Sequence, residues 1–152
     1  MATTTRSSVP SISANEAVVL RWHSDVFERD DYKVVDEICT PDFVWHNDAL
    51  QPELRTLEGT KDLARAMREG FSDYRLPHLE GVETVERDDM VVTFWKFVGT
   101  HDGPFLGAPA TGKRVEMSGI DAFRLEDGRI AELWQELNML GWLQQIGLVP
   151  SD

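Results

Sequence analysis

Apolar and polar positions along this chain follow a helical period first and a strand period later. In the first stretch, residues 13–29, Val19, Trp22 and Val26 recur at helical spacing through an otherwise polar run. Ser13 and Glu16 ahead of them match a capping box, so a long amphipathic helix is predicted. A shorter helical turn at 32–38 can pack Val34, Val35 and Ile38, and Thr40-Pro41-Asp42 breaks it. Phe43, Val44, Trp45 and His46 read as a strand, and a loop over 47–59 leads to a second long helix over 60–71 with Leu63, Ala64, Met67 and Phe71 on one face. Beyond it the period falls to two. Strands over 79–86 and 90–100 flank the turn Arg87-Asp88-Asp89, and strands over 114–126 and 129–137 flank Asp127-Gly128, a dipeptide suited to a tight hairpin turn. Helices gathered in the first half and strands in the second predict one α+β domain over 13–150, its helices laid on one face of a curved antiparallel sheet. Residues 1–12 read as a disordered tail, and no repeat or interdomain linker is present.

The last hairpin runs directly into a helix. Asn138 is a preferred N-cap, Met139, Leu140, Trp142, Leu143 and Ile146 supply apolar faces, and Gly147 followed by Pro150 is a stop signal. If Glu126 faces Arg129, an unbroken ladder sets Phe123 against Glu132, Asp121 against Trp134, Gly119 against Glu136 and Met117 against Asn138. That register predicts one mixed face, Trp134 and Phe123 among Asp121, Glu136 and Asn138, of the kind that walls a small-molecule cavity. Strand 90–100 carries Val92, Phe94 and Val98 on one side and Val91, Trp95 and Phe97 on the other. Neither side is made for water, so a homodimer burying the outer face of the sheet is expected.

Charge narrows the partner. The net charge of −12, from 15 basic and 27 acidic residues, argues against nucleic acid and anionic membranes and leaves a small molecule as the expected partner. The lone Cys39 excludes an internal disulfide and fits a reducing, cytoplasmic setting. No apolar run approaches membrane-spanning length, and no glycine-rich phosphate loop or dinucleotide fingerprint is present.

Several spaced motifs then carry a resemblance. GTHDG at 99–103, GAPATGK at 107–113, Phe123-Arg124 with DGRI at 127–130, and Leu140-Gly141 with QIG at 145–147 resemble the SnoaL-like polyketide cyclase family over residues 15–150. The resemblance implies a cone-shaped α+β barrel of the nuclear-transport-factor-2-like superfamily, with an apolar cavity between sheet and helices. In the family's aldol-type ring-closing cyclases it implies an aspartate before the last helix as general acid/base, helped by a histidine on the neighbouring strand. Here those positions hold Asn138 and Asp121. An amide cannot deprotonate a carbon acid. The run Trp134-Gln135-Glu136-Leu137-Asn138 resembles instead the branch that hydroxylates anthracycline-type aromatic polyketides. That branch implies no metal, flavin or other cofactor, with molecular oxygen as co-substrate and a partner reductase turning the quinone into a reactive hydroquinone.

Asp121 and Asn138 are therefore the candidate catalytic residues. Asp121 alternates with Met117, Phe123 and Leu125 on an apolar wall, where desolvation raises its pKa and makes it a proton acceptor near neutrality. Asn138 caps the helix and can orient a substrate oxygen. Trp134 offers a stacking surface for a planar ligand, and Glu136, His101, His46, Trp22 and Phe123 complete the candidate substrate contacts. His46 and Asp48 have the spacing of a non-haem iron site, with His78 or His101 as the distant ligand, and this ranks below a metal-free site. His23 carries no assignment. The leading reading is metal- and flavin-free hydroxylation of a reduced aromatic polyketide. The alternatives are an aldol-type or ester cyclase with Asp121 as its base, and a carrier of a flat hydrophobic compound.

Overall fold

A computed structural model describes residues 11–77 and 84–151. The first helix, α1 (Ala14–Arg21), starts where the capping box places it. The Ser13 hydroxyl accepts the Glu16 N–H at 3.0 Å and the Glu16 carboxylate accepts the Ser13 N–H at 2.9 Å. The helix then widens into a π-helical stretch, Trp22–Glu28, closed by the Arg29 N–H donating to the Ser24 carbonyl. This widening turns Trp22, His23, Val26 and Phe27 inward together. After α2 (Val34–Ile38) comes β1 (Cys39–His46), which begins four residues before the predicted strand. Pro41 is tolerated inside it because the ladder is interrupted between Cys39 and Val44, where a missing N–H removes no bond. Helix α3 (Leu57–Gly70) also starts earlier than predicted, since Thr56 caps it by accepting the Gly59 N–H at 3.1 Å.

Strands β2 (Thr84–Arg87), β3 (Met90–Thr100), β4 (Arg114–Glu126) and β5 (Arg129–Leu137) complete a sheet in the order β1-β5-β4-β3-β2. The rest of the predicted strand over 79–86 lies outside the described residues. All neighbours are antiparallel except β1 and β5, which pair in parallel, so the wholly antiparallel sheet expected from the sequence is corrected at that edge. A parallel partner is reached here because the long connection through α3, β2, β3 and β4 separates the two strands in sequence.

A second correction matters more. The β4–β5 turn is as predicted, with Asp127 and Gly128 both at positive φ (49° and 76°) and Glu126 paired with Arg129. Between Arg124 and Leu125 the register shifts: Leu125 pairs with Ile130 but Arg124 pairs with Glu132, leaving Ala131 as an extra residue in β5. From there on Phe123 faces Leu133, Asp121 faces Gln135 and Gly119 faces Leu137, while Trp134 and Glu136 sit opposite Ala122 and Ile120. A one-residue slip exchanges the two faces of β5, so Trp134, Glu132 and Glu136 leave the face that holds Asp121 and Phe123.

The helices cover the Asp121 face. Trp22 centres the packing there, its ring centroid 5.4–5.9 Å from those of Phe27, Phe43, Trp45 and Phe123. Helix α4 (Met139–Ile146) lies at one end of the sheet, where Trp142 packs edge-on against Phe105 at 5.3 Å, and Gly147 ends it with φ 82°. The other face keeps Val44, Phe94, Ile120 and Trp134 exposed. Among the described residues no helix is long and apolar enough to cross a membrane.

Candidate active site

Between sheet and helices lies a cavity that leaves about 80 Å³ for the centres of water molecules. Its walls are almost wholly apolar: Trp22, Phe27 and Trp45 on one side, Phe71, Tyr74 and Trp142 on another, with Trp95, Phe97 and Met117 from the sheet. Three polar side chains, His23, Asp121 and Gln135, reach it.

They belong to one network. Thr93, Asp121 and Gln135 are cross-strand neighbours on β3, β4 and β5, so their side chains stand side by side on the inner face. Gln135 Nε2 donates to Asp121 Oδ1 at 2.9 Å, and Gln135 Oε1 accepts from Asn47 Nδ2 at 2.9 Å. Asn47 Oδ1 in turn accepts the Ala49 backbone N–H at 2.9 Å. Because a backbone N–H can only donate, the orientation of both amides is settled from that end, and Gln135 presents its NH₂ to the carboxylate. On the other side His23 Nε2 lies 3.1 Å from Thr93 Oγ1 and 4.0 Å from Asp121 Oδ2.

Burial decides the charge state of this cluster. Asp121 is only 1% exposed, and loss of solvent pushes its pKa up to about 7, against the opposing pull of Trp95 and Gln135. The Trp95 indole N–H acts in that direction without finding an acceptor in hydrogen-bond geometry among the described residues. Desolvation drives His23 the other way, down to about 4. At neutral pH the imidazole is therefore uncharged, and the 4.0 Å approach to Asp121 is not an ion pair. An acid that exchanges its proton near pH 7 beside a neutral imidazole, in an apolar cavity, can take a proton from a bound molecule and return it.

The other sequence candidates are distributed as follows. Trp22 lines the cavity, while Phe123 is fully buried behind it, edge-on to Trp22 and His23. Trp134 is 39% exposed on the outer face and stacks on His46 with centroids 4.8 Å apart. Glu136 is exposed on that same face. The bulge at Ala131 thus takes Trp134 and Glu136 away from the cavity and puts Gln135 in the position that an unbroken ladder gives to Trp134, while His46 faces outward by the alternation of β1, in which Phe43 and Trp45 are the buried residues. His101 is buried beneath Phe71, its ring stacked at 5.1 Å and its Nδ1 3.0 Å from Thr111 Oγ1, and it does not line the cavity. Asn138 is exposed and occupied as the N-cap of α4, accepting the Gly141 N–H at 3.1 Å. Asp48 is exposed beside Arg55, and His78 lies outside the described residues. Among the described residues no three His, Cys, Asp or Glu side chains gather closely enough to hold a metal ion. Burial pushes the Cys39 thiol up to about 12, which leaves it a packing residue.

His23, Gln135, Asn47 and Trp95 are the site residues that pattern reasoning missed. One signal was available for His23: Trp22-His23 and Val26-Phe27 form two adjacent pairs four residues apart, wider than a regular helical stripe. None marked Gln135, since it depends on the bulge.

Fold and site together define an enzyme that works on a small molecule inside a helix-covered curved sheet, with one buried carboxylic acid at its centre. The chain belongs to the SnoaL-like polyketide cyclase family, whose model matches residues 17–146. It is 32% identical over 111 residues to the aklanonic acid methyl ester cyclase DnrD of Streptomyces peucetius, covering 73% of this chain and 72% of that one. Among solved structures, TsrD from Streptomyces laurentii superposes with a TM-score of 0.77 at 26% identity, over 92% of this chain and 99% of that chain. AclR of Streptomyces galilaeus, a candidate hydroxylase, superposes with a TM-score of 0.77 at 24% identity, over 93% and 86%, a likeness that speaks for the fold alone. The function this supports at the coarse level is polyketide tailoring of the cyclase type.

Proposed function

We propose that the protein closes a ring in a polyketide ester by an intramolecular aldol-type reaction, with Asp121 as the general base and acid. The observation that carries this reading is the buried carboxyl of Asp121, with a pKa of about 7, reaching an apolar cavity while Gln135 holds one of its oxygens. Asp121 Oδ2, the oxygen not held by Gln135, takes a proton from the carbon next to a carbonyl. The resulting enolate carbon attacks a second carbonyl of the same molecule, a carbon–carbon bond forms, and the proton on Asp121 goes to the new alkoxide. Thr93 and neutral His23 keep the neighbouring wall polar without adding charge.

Hydroxylation, the reaction that the Trp134–Asn138 pattern favours, takes second place. The Streptomyces relatives support ring closure, and the bulge places Trp134 outside the cavity. The two reactions differ in mass: an aldol closure is an isomerisation, whereas hydroxylation adds one oxygen atom. Aklanonic acid methyl ester, offered anaerobically to the purified protein, is expected to give an isomeric product. Asp121→Asn should reduce its rate by about 10²–10⁴-fold while the protein stays folded. A product one oxygen heavier, formed only in air from a reduced quinone, would replace this reading with the hydroxylase one. Binding without any product would favour the carrier. We also propose that a homodimer covers the outer face of the sheet, because Phe94 and Ile120 pair across β3 and β4 with Trp134 beside them.

A further inference from the structure

Asn47 follows β1 directly. The last register pair of β1 and β5 sets His46 against Trp134, so Asn47 stands beside Gln135 one step further along both strands. It is buried, 7% exposed, yet it does not line the cavity. Two kinds of contact fix it. The first closes a turn: the Asn47 carbonyl accepts the Leu50 N–H at 3.1 Å, Asn47 Oδ1 accepts the Ala49 N–H at 2.9 Å, and the Leu50 carbonyl accepts from Arg55 Nε at 2.9 Å. Such a turn asks the side chain only for an acceptor, which Asp supplies as well as Asn. The second contact asks for a donor. Asn47 Nδ2 gives one to Gln135 Oε1 at 2.9 Å, and an ionised carboxylate could not.

These bonds all run in one direction. The Ala49 N–H donates to Asn47, Asn47 donates to Gln135, and Gln135 donates to Asp121 Oδ1. While Gln135 is held so, Oδ1 is engaged as an acceptor and a proton on the acid has Oδ2 to occupy, the oxygen 4.0 Å from His23 Nε2. A glutamine free to turn would offer its carbonyl to the protonated acid and stabilise that form. The other groups that face Asp121 are His23 from the widened helical stretch and Thr93 and Trp95 from β3. Of these only His23 titrates, and it is uncharged at neutral pH.

We propose that Asn47 is a positioning residue, which confines the exchangeable proton of Asp121 to Oδ2 by holding the Gln135 amide in one orientation. Its role in catalysis rests on Asp121 being the general base of the proposed ring closure. The hydrogen-bond relay itself does not.

Asn47→Asp separates the two contacts, because it keeps the acceptor for the Ala49 N–H and removes the donor to Gln135. A backbone N–H favours the charged form of the new carboxylate, which draws the Gln135 NH₂ to itself and turns the Gln135 carbonyl toward Asp121. The infrared carbonyl band of protonated Asp121, identified by its absence from Asp121→Asn protein, reports the titration of the full chain without substrate. Its midpoint is expected to rise by about one pH unit or more in Asn47→Asp, a tenfold gain in proton affinity. An added negative charge acts in the same direction, so the substitution is repeated in Gln135→Leu protein, where the rise should shrink to less than half. A rise that keeps half or more of its size there would assign the effect to charge and overturn the relay. So would an unmoved midpoint in folded Asn47→Asp protein. Should that variant not fold, Asn47→Leu, which adds no charge, decides in its place: a rise supports the relay and no rise overturns it. In the ring-closing assay the acid limb of the rate profile should move with the infrared midpoint. A protein that closes no ring leaves the infrared result standing, and an unmoved midpoint in a protein that does close rings overturns the role of Asn47 alone.

Discussion

The two faces of the β4–β5 hairpin are made from alternate residues of the same strands and have opposite chemistry. The inner face puts one acid, one amide and, from β3, one hydroxyl into an apolar enclosure, with Asp121, Gln135 and Thr93 in register. The outer face does the reverse, leaving the apolar Ile120 and Trp134 uncovered by the rest of their own chain beside Glu136. A carboxylate on the outer face keeps its solvent. Asp121 loses it, and its proton exchange moves to about pH 7. What separates a surface acid from a candidate general base in this protein is which side of the sheet it falls on, and that side is set by single-residue register.

This contrast can be broken from the inside first. Gln135→Leu removes the donor that favours the charged form of Asp121, so the Asp121 pKa should climb further and the acid limb of the rate profile should move to higher pH. At pH 7 the ring-closing rate should fall about tenfold and recover in part at higher pH. A pH–rate profile with an unmoved limb would mean that the amide only fills space.

Stability against pH sharpens the same point. The folded-state pKa of Asp121, about 7, lies above the usual carboxylate value, so the folded protein binds the extra proton between roughly pH 4 and 7. Its contribution is fully present below about pH 4 and is lost as pH rises through 7. His23 has the opposite sign, since its folded pKa of about 4 is depressed and its contribution is lost as pH falls through that range. His23 is common to both proteins and cancels in a comparison. Asp121→Asn should therefore gain on the unaltered protein by a few kcal/mol between pH 4 and pH 8 in urea denaturation, and a difference independent of pH would refute the burial account.

The outer face is predicted to give the smallest effect on chemistry. Trp134→Ala should leave the ring-closing rate within about twofold, because its ring stacks on His46 outside the cavity. Sedimentation should at the same time show a weaker dimer, by about 1–2 kcal/mol, the scale on which truncating an aromatic side chain weakens an interface. A large fall in rate from monomeric protein would tie the two faces together through the partner subunit.

Local chemistry made much of this molecule legible. The capping box of α1, the Asp127-Gly128 turn, the Asn138 cap and the Gly147 stop each involve residues within a few positions of one another, and their geometry follows from short-range sterics and hydrogen bonding. The same holds for the wall position of Asp121, which needs only the alternation of β4. Gln135, Asn47 and His23 join Asp121 for reasons no local pattern carries. Gln135 turns inward because Ala131 is taken up as an extra residue where β5 must match β4 on one side and the interrupted β1 on the other. His23 turns inward because the first helix widens by one residue per turn over the aromatic cluster around Trp22. The sequence by itself determined the elements, their caps and turns, and the acid at the centre of the site. Tertiary packing alone decided which neighbours surround that acid, because a bulge and a widened helical turn are compromises between distant elements whose cost is offset only once those elements meet.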